Sequence, residues 1–193
     1  AMKPGPAGAG LALLAGLWLP GASLAIGPGE APLIDAAASR AGIEVDLRLG
    51  GRVRGDFQAL EGRIDRLEDE RLQVSVRLDA RSLVLDGPAW MDRSMRSSKF
   101  LDVDAHRWIH FRSEPFAPAL VRDGGTLAGT VELRGVARPV AFLVAAPACD
   151  TPGYDCDIPV AGQVSRRDFG MEAYRVWLRD EVGFDFHVRL RQP

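Results

Sequence analysis

The stretch MDRSMRSSKFLDVDAHRWIHFRS, Met91 to Ser113, changes its periodicity part-way along. Trp90, Met91, Ser94, Met95 and Ser98 recur at helical spacing, and Pro88 just before them suits the first turn of a helix. Phe100-Leu101 follows. Asp102-Val103-Asp104-Ala105 reads as an irregular turn. Trp108-Ile109-His110-Phe111 then alternates as a strand does. A single helical interruption between strand-like runs predicts a lid or plug over a sheet or barrel.

Outward from this stretch the alternation continues in both directions. Upstream, Ile43, Val45, Leu47 and Leu49 share one face, with Glu44, Asp46 and Arg48 on the other, the pattern of a half-buried strand. Gly50-Gly51 is a hairpin signal. Val53 and Phe57, then Leu60, Gly62 and Ile64, then Leu72, Val74, Val76 and Leu78, extend the series. The chain is expected to leave the sheet over Ala80–Pro88.

Downstream, Asp123-Gly124-Gly125 reads as a hairpin turn before Leu127, Gly129, Val131 and Leu133. Val140, Phe142 and Val144 follow, then Val160, Gly162 and Val164. The last strand is the clearest, with Val182, Phe184, Phe186, Val188 and Leu190 set against Asp185, His187, Arg189 and Arg191. Strands joined mostly by tight turns imply an antiparallel meander, and closure removes the edges that aggregate. The expected fold is all-β: a lipocalin-like antiparallel barrel of about eight strands with one short helical insertion.

Composition bounds the function. One basic residue, Lys3, lies in the first stretch, so the remainder carries 23 of the 24 Lys and Arg against 26 Asp and Glu, and a nucleic-acid partner is not expected. Met2-Lys3, the apolar run Leu11–Leu19 and the small-residue site Ser23-Leu24-Ala25 read as a secretory signal peptide over residues 1–25, with Ala1 as an artefact. The domain then runs over 26–193, and the protein is expected in the periplasm or secreted. Cys149 and Cys156, close together in a loop rich in Asp, Pro and Gly, read as a disulfide in an exported chain.

No nucleophile motif is present. His106 and His110 have a helical metal spacing but fall on strand-like sequence, so no metal site is assigned. Asp168 beside Arg166 and Arg167 reads as a structural turn. The aromatic and Met residues either fill a dry core or line an apolar slot. Gly55, Gly62, Gly129 and Gly162 favour the slot, because missing side chains leave room inside a barrel. Met91 and Met95 suit an adaptable mouth, with Phe100 beside them.

Four segments together resemble the YceI-like family of exported polyisoprenoid-binding proteins, over roughly Ile34 to Leu190. Ile34-Asp35, Ser39 and Gly55-Asp56-Phe57 before Gly62 look like its opening. Met91–Ser97 and Phe100-Leu101-Asp102-Val103 resemble its R-D-x-H-L-R-S and F-x-D-V segments, with Met91 in place of Arg and Ser94 in place of His. Leu133–Val140 resembles its L-x-x-G-V-T-[RK]-P-V turn, with Ala137 in place of Thr, and Arg166–Gly170 resembles R-S-D-F-G. The cysteine loop is not typical of it.

The resemblance implies a barrel that holds a long isoprenoid chain, such as a quinone tail or polyprenyl lipid, and it implies a homodimer. The expected function is therefore a non-enzymatic lipid carrier with no cofactor other than a bound isoprenoid lipid or quinone. The expected ligand contacts are Phe57, Met91, Met95, Phe100, Phe111, Val131, Phe142, Phe169, Phe184 and Phe186. The alternatives are a structural or stress-related barrel with no dedicated ligand, and an unrecognised hydrolase.

Overall fold

The computed structural model describes residues 32–192. The expected signal segment and the start of the domain at residue 26 lie outside them. Ten strands form one antiparallel sheet in the order β3-β4-β6-β7-β8-β9-β10-β1-β2-β5. They are β1 (Arg40–Leu47), β2 (Arg52–Phe57), β3 (Leu60–Arg66), β4 (Leu72–Asp79), β5 (Leu83–Leu85), β6 (Trp108–Ser113), β7 (Gly125–Leu133), β8 (Val136–Val144), β9 (Ile158–Ser165) and β10 (Leu178–Val188). Helix α1 spans Ala89–Arg96, and a second helix, α2, spans Ala119–Asp123.

The strand count exceeds the expected eight for a local reason. Only Gln58-Ala59 separates β2 from β3, and only the 3-10 turn Ala80–Ser82 separates β4 from β5. Leu60 to Arg66 pairs with Leu72 to Leu78, and the same two runs of chain pair again as Gly55–Phe57 with Leu83–Leu85. Each is one strand bent at its middle. Because β2 pairs with β1 while β3 pairs with β4, the bend carries the chain from one end of the sheet to the other and curls it into a barrel. Near the far end of β3, Leu33 bridges Arg63 and Ile34 bridges Leu190. The Ile34 N–H donates to the Gly62 carbonyl at 3.0 Å and the Asp35 N–H to the Arg189 carbonyl at 2.8 Å, so this segment straps β3 to the end of β10.

Three expectations are corrected here. The chain does not leave the sheet over Ala80–Pro88, because Leu83–Leu85 returns to pair with β2. Asp123-Gly124-Gly125 is not a hairpin turn but the end of α2, where Gly124 caps the helix at φ 75°. Among the described residues the expected single helical insertion is thus two α-helices. Leu49 does not join the inward face of β1; it stands 82% exposed at the hairpin tip beside Gly50.

The register of β10 follows the alternation. Phe184 is buried, and its neighbour His187 lies at the surface, 3.4 Å from Asp157. The core inside the barrel has Phe57, Leu78, Leu83, Ile109, Leu133, Phe142, Phe169 and Phe184 among its buried residues. A smaller cluster of Leu127, Val144 and Ile158 packs under Leu120 and Val121 of α2. Outside the barrel, Cys149 and Cys156 are joined as a disulfide with Cα atoms 6.0 Å apart.

Candidate ligand-binding site

The inward faces leave three apolar chambers. An outer one of about 500 Å³ opens beside α1 and is walled by Val45, Val53, Leu85, Met91, Met95, Phe100 and Leu178, with Trp90, Tyr174 and Trp177 also lining it. An inner one of about 50 Å³ lies among Phe57, Leu83, Ile109, Leu133, Val182 and Phe184. A distal one of about 110 Å³ lies towards α2 among Phe111, Phe116, Leu120, Val131, Phe142 and Phe186. Met95 and Phe100 line both the outer and inner chambers. Ile109 and Phe184 line both the inner and distal ones. With Val45 and Leu178, which also line both the outer and inner chambers, these shared apolar side chains separate adjoining chambers.

No residue of helix α1 is fully buried, and two polar bonds help to fix it. Asp92 Oδ1 accepts the Leu85 N–H at 2.9 Å, and Arg96 Nη2 donates to the Leu83 carbonyl at 3.1 Å. Both bonds reach the short strand β5. They set the roll of the helix, so Met91 and Met95 turn inward onto the core. Phe100 follows, 5% exposed, with its ring stacked on Tyr174 at 5.6 Å.

The distal chamber is bounded by a connected set of rings. Phe142 meets Phe111 edge-on at 5.3 Å and Phe184 and Phe186 edge-on at 6.1 Å each. The glycines expected to leave room do not leave it empty. A Cβ on Gly129 would lie 2.6 Å from the Phe111 ring, and one on Gly162 would overlap Phe142. The vacated volume admits aromatic rings against the backbone, and the remaining space lies beyond them.

The YceI-like domain model matches residues 33–190 of this sequence. The chain belongs to the YceI-like family. Among solved structures, Burkholderia cenocepacia BcnA is similar with a TM-score of 0.68 and 16% identity, over 82% of this chain and 99% of that one. A polyisoprenoid binding domain from Saccharophagus degradans, implicated in plant cell wall breakdown, matches with a TM-score of 0.64 and 16% identity, over 84% and 98%. A Campylobacter jejuni YceI protein matches at 0.53 and 14% identity, over 72% and 85%. At these identities the likeness establishes the YceI-like fold. No curated protein matches the sequence.

Within this YceI-like barrel, the residues singled out from sequence divide among the chambers. Met91 lines the outer one, Phe57 the inner one, and Phe111, Val131, Phe142 and Phe186 the distal one. Met95, Phe100 and Phe184 stand at the partitions. Phe169 is buried but lines none of the three. Ser94, where the family has His, lines the outer chamber, and Ala137, where it has Thr, is exposed on β8.

Sequence reasoning missed two groups. Phe116, Leu120 and Val121 close the distal chamber; Phe116 bridges Leu72 and the other two stand on the five-residue helix α2, too short to show a periodicity of its own. Arg166 is 2% exposed and lines the inner chamber. Its Nη1 donates to the Met171 carbonyl at 3.0 Å and the Ala173 carbonyl at 2.6 Å, and its Nε to the Arg179 carbonyl at 3.1 Å. Burial pulls its guanidinium below the ordinary arginine value, opposed by Asp180. Asp180, rather than Asp168, is the carboxylate facing these arginines, 2.5 Å from Arg167 and 3.8 Å from Arg166. Among the described residues, no group of three or more His, Cys, Asp or Glu is placed to hold a metal ion.

Proposed function

We propose that this YceI-like protein is an exported, non-enzymatic carrier of a long apolar lipid, an isoprenoid quinone or polyprenyl compound. The observation that carries the reading is the series of three apolar chambers sharing walls at Met95–Phe100 and Ile109–Phe184. A flexible, narrow tail fits such a series, whereas a compact ligand would fill one chamber only. The polyisoprenoid binding domain of similar fold supports the ligand class. Export is supported by the signal-like residues 2–25 and by the disulfide.

Binding of this kind needs burial and no covalent chemistry. A tail that removes about 400 Å² of apolar surface from water gains on the order of 10 kcal/mol before ordering costs. The inner chamber is narrow, so passage requires the partition side chains to rotate. Met95 has the unbranched side chain suited to that movement. The ring packing over Gly129 and Gly162 favours one second reading, a structural barrel whose interior is filled by its own side chains.

Mass spectrometry of lipid extracted from protein purified from its native host separates the two. An isoprenoid-series mass in near-equal amount to the protein is expected. An extract without any apolar ligand, from protein that also takes up neither a quinone nor a polyprenol, supports the filled barrel instead.

A further inference from the structure

Beside the outer chamber the surface is unusually apolar. Among the described residues, eight large hydrophobic side chains are exposed, and five of them stand here: Leu49, Trp90, Tyr174, Val176 and Trp177. They come from three separated segments, the β1–β2 hairpin tip, α1 and the turn before β10. The hairpin tip and the turn before β10 are tied together. The Arg48 N–H donates to the Trp177 carbonyl at 2.9 Å, and Arg48 Nε donates to the Arg175 carbonyl at 2.8 Å. Trp90, Tyr174 and Trp177 also line the chamber itself, so the patch is continuous with its mouth. Leu49 and Val176, 82% and 75% exposed, project beyond it and line none of the three chambers.

We propose that this rim docks on an anionic bilayer surface, so that the chamber opens directly onto lipid. Resting on the carrier reading, the proposal names where the ligand is exchanged. A long apolar tail crossing water would expose its whole length, and a mouth seated in the bilayer avoids that step. The side chains fit an interface. Trp and Tyr prefer the boundary between headgroups and hydrocarbon, where an apolar ring and a polar N–H or O–H are both satisfied.

The charges fit as well, on a chain whose net charge is −2. Exposed Arg48, Arg93, Lys99, Arg175 and Arg179 flank the patch in sequence, against exposed Asp86, Glu172 and Glu181. Glu172 answers Arg175 at 3.5 Å and Asp180 answers Arg48 at 3.6 Å. Among the described residues Arg93, Lys99 and Arg179 make no ion pair. Basic residues around an apolar patch are what an anionic leaflet attracts.

The test is flotation of the full chain with phosphatidylglycerol vesicles and with phosphatidylcholine vesicles, beside the double variant Leu49→Asp/Val176→Asp. The parent should float with phosphatidylglycerol, less with phosphatidylcholine, and less in high salt. The double variant should lose at least about tenfold of the vesicle-bound fraction, with an unchanged circular dichroism spectrum. Equal flotation of parent and variant overturns the proposal, because the anchor then lies elsewhere, as in the apolar N-terminal run that both carry. A parent that does not float overturns it too, and a dimer that the double variant dissociates then assigns the face to a second copy. Uptake of a quinone by the unmodified chain, measured in detergent, is scored separately. Uptake without flotation keeps the carrier and rejects the docking face; flotation without uptake does the reverse.

Discussion

Phe142 lies against the backbone of Gly162, with its ring in the space that a side chain at residue 162 would fill. From there it reaches Phe111, Phe184 and Phe186, so one glycine on β9 positions the centre of the aromatic cluster. Gly162→Ala should displace the ring into the distal chamber. Overpacking of this kind costs about 1–3 kcal/mol. Chemical denaturation should show that loss with an unchanged m-value, and a variant as stable as the parent would show that the ring has free room.

Met95 separates the outer chamber from the inner one. Met95→Asp places a carboxylate at an apolar partition, where it loses hydration without gaining a partner. Lipid retained through purification should fall by at least about tenfold while the β-type circular dichroism persists. Retention like the parent's removes Met95 from the path. An unfolded variant instead shows that α1 belongs to the folding core.

The Cys149–Cys156 bond closes a loop with a sequence separation of 7. Loop closure at that length is worth about 2–3 kcal/mol. Cys149→Ser with Cys156→Ser should lower stability by no more than this and leave the barrel folded. In the parent, alkylation without prior reductant should add no mass, and a shift would falsify the pairing.

Asp79 sets the stability of the bend between β4 and β5. Burial pushes its carboxyl up. Hydrogen bonds from Arg107, at 3.0 and 2.8 Å, and from the Arg81 N–H outweigh that and hold it below the usual carboxylate range. Its folded value is thus depressed relative to that of the unfolded chain, which is about 3.9. The stabilisation is present above that value and is lost as pH falls through the folded one. Asp79→Asn should cost about 1–3 kcal/mol at neutral pH. The gap between parent and variant in urea unfolding should shrink as pH falls below the ordinary carboxylate range, and a gap independent of pH argues against the ion pair as its source.

Periodicity carried the reading of the barrel because each strand here has one wet face and one dry face. Ile43 to Leu47, Leu127 to Leu133 and Val182 to Val188 each display period two in their own residues, and the pairing of the two cysteines was legible from their spacing together with the signal-like start of the chain. The helical step of Met91 and Met95 marked α1 for the same reason. These are local properties, expressed by neighbours along the chain.

Tertiary structure decided what depends on partners far along the chain. Bending of β2–β3 against β4–β5 turned an expected eight strands into ten, and only the pairing register shows it. Asp180 rather than Asp168 meets Arg166 and Arg167 because the start of β10 packs against the turn that carries them. Whether Gly129 and Gly162 leave a void depends on rings from the neighbouring strands β6 and β8. Leu49 continues the apolar alternation yet faces water, because the hairpin carries it past the last pair of β1 with β2. Alternation along a strand settles which residues share a face, while the shape and size of a cavity follow from how opposite faces fill the same volume.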